Sequence, residues 1–170
     1  MLKKEIRILG LSANTTPKGV TIVVGVVFRG KKWLDGIITC TLTPKERNQI
    51  ARISEAIRKS KQFSQLHAVI ISERQITPRK DLAIASIQRN LGLPVIRIVD
   101  QRKLQTRKAT RLHANYYELF VHGKKLHAIA KGISRENTQG IFTLTSMSTS
   151  PTPEAVRVAD LIAGQVLGLT

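Results

Sequence analysis

The densest group of side chains able to do chemistry is RIVDQRKLQTRKATR at residues 97–111. There Arg97, Arg102, Lys103, Arg107, Lys108 and Arg111 stand against one acid, Asp100. Guanidinium and ammonium groups at this density suit phosphate contact, because neutralising phosphates releases condensed counterions. The whole chain carries the same bias: its 170 residues hold 28 Lys and Arg against 11 Asp and Glu, a formal net charge of +17. A soluble protein this basic is expected to meet DNA or RNA. Lys and Arg recur along the chain rather than on one amphipathic tail, which argues against a membrane surface as partner.

Other chemistries find little support. The four histidines, His67, His113, His122 and His127, have no zinc-motif spacing and no companion cysteine cluster. Cys40 is the single cysteine, lies in an apolar run and reads as a small core residue. Neither GxGxxG nor GxxxxGK[ST] occurs, so no nucleotide cofactor is expected, and the absence of GxSxG leaves covalent hydrolysis without sequence support. Aromatic residues make up 4% of the chain, which argues against base stacking along a single strand, although Tyr116 and Tyr117 are available for it.

These residues need a scaffold, and the apolar periodicity supplies one. Residues 6–11, 20–28 and 33–41 are rich in Val and Ile and read as an antiparallel meander, with Gly30, Lys31 and Lys32 turning between the second and third strands. Residues 66–71 and 95–99 are short continuous apolar runs, as expected of buried strands, and each follows a helical segment. Residues 116–121 and 126–130 read as a hairpin joined at 122–125. Three helices are expected to start at Thr43-Pro44, Thr77-Pro78 and Thr152-Pro153, where a hydroxyl caps and a proline suits the first turn; Glu46 completes a capping box with Thr43. A further helix is expected from Ser134. This order predicts an α/β fold: a mixed sheet, meander plus parallel strands, flanked by helices in one domain over residues 1–170. The apolar runs are shorter than a membrane span and no secretory signal is visible, so a cytoplasmic location is expected.

Four words in the sequence sharpen this reading: RILGLS at 7–12, VGVVFRGKKWLDGI at 24–37, GLPVI at 92–96 and SPTPEAVRVADLIAGQVLG at 150–168. Together they resemble an archaeal family of unknown function related to endonuclease V, over nearly the whole chain. The resemblance implies a ribonuclease H-like fold. It also implies metal-dependent attack on a phosphodiester, with acids at one sheet edge holding Mg²⁺.

Carried onto this chain, the resemblance places Ser12 where the first strand of such nucleases ends in Asp. It places Ser72, followed by Glu73, where a second Asp is expected. Glu46 stands near the start of the first helix, and Asp160 falls in the last helix, where the family commonly has His. Glu154 in that helix suits the helix dipole instead. Asp35 is expected at the opposite end of the sheet, serving a turn or an ion pair, and Asp100 is expected to pair locally.

The expectation is therefore a degenerate site around Ser12, Ser72 and Asp160, with remnant acids Glu46 and Glu73, no catalytic residues, no bound metal and no cofactor. Phosphate contact is expected from Lys18, Arg74, Arg79 and Lys80, placed in loops on the same edge, together with the basic cluster at 97–111. Two other readings stay open: a Mg²⁺-dependent endonuclease acting on deaminated or structured DNA or RNA, and a structural subunit of a ribonucleoprotein assembly.

Overall fold

The computed structural model describes residues 2–74, 80–100 and 113–166. The Val- and Ile-rich runs form seven strands: β1 (Arg7–Thr15), β2 (Thr21–Arg29), β3 (Trp33–Leu42), β4 (Leu66–Ile71), β5 (Val95–Val99), β6 (Asn115–Val121) and β7 (Lys124–Lys131). They build one sheet in the order β3-β2-β1-β4-β5-β7-β6. The meander β1-β2-β3 is antiparallel, β4 runs parallel to both β1 and β5, and β7 returns antiparallel to β5 and β6. The mixed sheet anticipated from the sequence is present.

Among the described residues, four α-helices cover it: α1 (Gln49–Arg58), α2 (Lys80–Leu91), α3 (Arg135–Thr145) and α4 (Glu154–Val166). Side chains alternate along each strand, so each face gathers its own core. Leu9, Leu11, Val69, Ile71 and Val95 pack against Ile53 and Ile57 of α1 and Ile84 and Ile87 of α2. On the other face, Ile8, Ala68, Ile70 and Ile96 pack against Phe142 of α3 and Ala155, Val156 and Ala159 of α4. Each Val, Leu, Ile or Phe side chain among them contributes about 1.5–3 kcal/mol on withdrawal from water, before chain entropy is subtracted.

The close seating of α4 depends on Gly10. A Cβ at Gly10 would lie 2.3 Å from the carbonyl carbon of Ala155 and 2.5 Å from the amide nitrogen of Val156. Glycine therefore lets the backbone of the helix rest directly on β1.

Three local expectations are corrected. The first helix is capped by Asn48, whose side chain accepts from the Ala51 amide at 3.1 Å, so Thr43 and Glu46 form no capping box. Asn48 stands immediately before the apolar stripe and outcompetes the upstream Thr-Pro signal. The last helix uses Pro153 as its cap: the Pro153 carbonyl accepts from the amides of Val156 and Arg157, each at 3.0 Å, and Glu154 is the first helical residue. The hairpin connection shrinks from four residues to two, because Val121 pairs with Lys124 and leaves His122 and Gly123 in left-handed conformations (φ 50° and 75°). Two positive φ values match the right-handed twist of the flanking strands. The expected start at Thr77-Pro78 lies outside the described residues. The helix expected from Ser134 is α3, where the Ser134 hydroxyl accepts from the Asn137 amide at 3.2 Å.

Candidate functional site

Strand β1 runs on past Leu11 to Thr15, paired throughout with β2, so Ser12 sits within a strand rather than at its end. The Ser72 amide donates to the Leu11 carbonyl at 2.8 Å, extending the parallel ladder one residue beyond β4. Ser12 shares its face with Ile8, and Ser72 shares its face with Ile70, so both hydroxyls look toward α4. Both serines are buried, at 0% and 1% exposure.

Asp160 meets them from the helix. It lies on the sheet-facing side of α4 with Val156, Ala159 and Ala163, the i, i+3, i+4, i+7 spacing of one helical face. One carboxylate oxygen, Oδ1, accepts from the Ser12 hydroxyl at 2.5 Å and from the Ser72 hydroxyl at 2.7 Å. Arg74 stands beside the same oxygen, its Nε at 3.8 Å, while its backbone amide donates to the Ser72 hydroxyl at 3.2 Å. Asn14, two residues after Ser12 on the same face, ties the end of α4 down by donating to the Ala163 carbonyl at 3.1 Å. Residues 12, 72, 74 and 160 thus form one hydrogen-bonded cluster toward the carboxyl ends of β1 and β4, with Asn14 bonded to α4 beside it.

This cluster does not match what Mg²⁺ requires. The ion needs about six oxygens in near-octahedral array at roughly 2.0–2.1 Å, usually with more than one carboxylate. Here two neutral hydroxyls direct their protons at the one carboxylate, and a guanidinium stands next to it. Among the described residues, no group of three or more His, Cys, Asp or Glu comes together to hold an ion. Glu46 is occupied elsewhere, paired with Arg52 at 2.9 Å. Glu73 is exposed and follows Ser72 along the chain. Charge-assisted O–H···O⁻ bonds of 2.5–2.7 Å are strong. The cluster is therefore built as a polar lock between helix and sheet.

The basic residues divide. Lys18 is exposed in the loop between β1 and β2, and Arg74 follows β4; both emerge at the edge that carries the cluster. Lys80 is the first residue of α2 rather than part of a loop. Arg97 is a correction: it lies within β5 between Ile71 and Ile129 and is 7% exposed, on the face covered by α1 and α2, so it adds nothing to the accessible surface. Arg79, Arg102, Lys103, Arg107, Lys108 and Arg111 lie outside the described residues.

Lys124 and Lys125 join this edge, because β7 starts opposite the end of β5. Lys124 donates to the Thr149 carbonyl at 3.0 Å, and Lys125 pairs with Glu118 at 3.2 Å.

Other candidates have structural employment. Asp35 pairs with Arg7 at 2.6 Å near the opposite end of the sheet. Glu154 holds Arg157 through both carboxylate oxygens at 2.7 and 2.8 Å, which raises the guanidinium's affinity for its proton. Tyr116 is hydrogen-bonded to His127 and stacked on its ring, the Tyr117 hydroxyl donates to the Ile133 carbonyl at 3.0 Å, and both rings are partly buried against the cores. The sequence reading missed Asn14, whose signal was its i, i+2 spacing from Ser12. It also assigned Arg74 to phosphate alone.

Comparison with known proteins agrees with this architecture. A UPF0215 protein of Methanosarcina barkeri is 30% identical over an alignment covering 98% of this chain and 94% of its own. The crystal structure of a protein of unknown function from Archaeoglobus fulgidus superposes with a TM-score of 0.76 at 14% identity, covering 96% of this chain and 99% of that one. Endonuclease V of Ciona intestinalis, solved with a 24mer DNA containing an inosine followed by a ribo-adenosine, gives a TM-score of 0.65 at 12% identity over 99% of this chain and 88% of its own. The ribonuclease H-like α/β fold holds, and endonuclease V shares it. Residues 4–167 match the pattern described as endonuclease dU, and the chain belongs to that family.

Proposed function

We propose that this protein binds DNA or RNA, mainly through phosphate contacts at the edge carrying Ser12, Ser72 and Asp160, and that it does not cleave what it binds. One observation carries the reading: Asp160 is tied up by two serine hydroxyls at the position where the fold's nucleases would gather acids. The net charge of +17 supports the binding half. The shared fold with an endonuclease V solved on DNA supports the choice of ligand.

The endonuclease dU description of the family favours a second reading, a metal-dependent endonuclease. In this chain such an enzyme would have to assemble its ligands from Asp160, Glu46 and Glu73, of which Glu46 is already ion-paired.

The test has two arms. Fluorescence anisotropy with labelled duplex and single-stranded DNA and RNA should show binding that falls steeply between about 50 and 200 mM salt, by a factor of order 10³ if several phosphates are contacted. Absence of binding at low salt would remove the first half of the reading. Incubation with Mg²⁺ or Mn²⁺ and DNA or RNA carrying deoxyuridine or inosine should leave the substrate intact. Cleavage that disappears in Asp160→Ala would establish the endonuclease reading instead.

A further inference from the structure

The end of the sheet remote from Asp160 carries a second basic concavity. The turn between β2 and β3 folds back on the segment before β1: the Gly30 amide donates to the Ile6 carbonyl at 2.8 Å. Gly30 adopts φ 60°, and a Cβ there would meet the Lys4 carbonyl oxygen at 2.7 Å. Only glycine permits this approach, which brings Lys4, Arg29, Lys31, Lys32 and Trp33 around a cavity of about 350 Å³. That volume falls within the range of roughly 300–1,000 Å³ typical of ligand sites.

Two features of the cavity point to a ligand. The first is charge. Four cations line it against the acid Glu5, and Asp35 is held by Arg7 at 2.6 Å while reaching Arg29 only at 3.9 Å. The Nε of Arg29 is buried without a hydrogen-bond partner, so the nearest acid leaves this guanidinium incompletely neutralised. The second is Trp33, the single tryptophan of the chain, which is 59% exposed at this rim while Phe142 is fully buried. An indole face beside several ammonium groups is how single-stranded nucleic acid is held: the base stacks on the ring and its phosphates lie on the cations.

We propose that this cavity is a second nucleic-acid subsite, taking an unpaired base on Trp33 and the adjoining phosphates on Lys4, Lys31 and Lys32. The proposal rests on the reading that the protein binds nucleic acid, and extends it to single strands. Trp33 pairs with Arg29 and Arg29 with Arg7, five residues before Ser12. The two sites therefore lie about 17 Å apart along the strand direction.

Trp33 is itself the reporter. Its fluorescence should be quenched on titration with a twelve-nucleotide oligothymidylate at 50 mM salt, and thymidine monophosphate should give no comparable quench at equal nucleotide concentration. Lys31→Ala with Lys32→Ala should shift the quench midpoint up by about tenfold. Trp33→Ala should weaken anisotropy-detected binding of the same oligonucleotide by about tenfold.

Anisotropy of the labelled oligonucleotide separates the two readings. Binding without quench, as expected if Trp33, Leu34 and Ile37 instead form a protein-docking edge, overturns the subsite and leaves nucleic-acid binding standing. No binding by either signal overturns both. A quench unchanged in the double lysine variant, or matched by thymidine monophosphate, also overturns the subsite as proposed.

Discussion

The hydroxyl of Ser12 donates to the carboxylate of Asp160 at 2.5 Å across 148 positions of sequence. In an acid-lined metal site the strands present negative charge and need a cation to hold them together. Here the strands present hydroxyl protons and the helix presents the charge, so the parts satisfy one another.

That relationship makes Asp160 a stability element. Asp160→Ala leaves the buried hydroxyls of Ser12 and Ser72 without their acceptor, and such orphaned groups cost about 1–3 kcal/mol. Urea unfolding should show this loss with an unchanged m-value. Asp160→Asn keeps an acceptor oxygen and should lose less, so equal losses would count against the hydrogen-bond account.

Replacing both serines by acids should recreate an ion site. Ser12→Asp with Ser72→Asp would crowd three carboxylates at one point, lowering the melting temperature by several degrees in EDTA through like-charge repulsion. Millimolar Mg²⁺ should restore it, since an ion present at about 100 times its Kd contributes about 2.7 kcal/mol. The native sequence should show no Mg²⁺-dependent shift. A double variant indifferent to Mg²⁺ would mean that the position lacks the geometry as well as the ligands.

Gly10→Ala should be severely destabilising. Its Cβ would fall 2.3 Å from the Ala155 carbonyl carbon, which belongs to backbone and cannot turn aside. The helix must lift off β1, and the cost should exceed about 3 kcal/mol in chemical denaturation. A loss below about 1 kcal/mol would show that α4 can shift freely.

Cys40 should react slowly. Burial pushes its thiol up from the ordinary value, with Arg52 working in the opposite direction. Thiolate, the reactive form, is therefore scarcer near pH 8 than in free cysteine, and iodoacetamide should label Cys40 several-fold more slowly. Arg52→Ala removes the lowering influence and should slow labelling further. Faster labelling in that variant would contradict the electrostatic assignment.

Much of the sheet was legible because its strands are continuous apolar runs. Residues 66–71 and 95–99 were placed without error, since short continuous apolar runs such as LHAVII and VIRIV, each following a helix, suit a buried strand. The end of β1 was not. Ser12, Asn14 and Thr15 read as a polar stop, yet pairing with β2 continues to the Thr15–Thr21 rung, because the polar side chains are satisfied by α4 and by each other.

The start of α1 failed for a local reason. Thr43-Pro44 with Glu46 and Asn48 are both legitimate caps, and Asn48, immediately before the apolar stripe, prevails. Arg97 was counted with its basic neighbours although its own strand pattern buried it. At the site, the identities of Ser12, Ser72 and Asp160 were legible through family resemblance, but their bonding was not. The cavity at Trp33 joins Lys4 to Thr143, a juxtaposition that no sequence window contains.

The seating of α4 on β1 also sets an order of events. Ser12 and Ser72 can come into register as soon as β4 pairs with β1, but their acceptor arrives only with the helix that holds residue 160. Contacts across such long separations form late, because loop closure must precede any reward from them. Until α4 docks, the hydroxyls of Ser12 and Ser72 face water, and docking exchanges that water for the Asp160 carboxylate. The cluster thus ties the last described helix to the two strands that pair long before it in sequence.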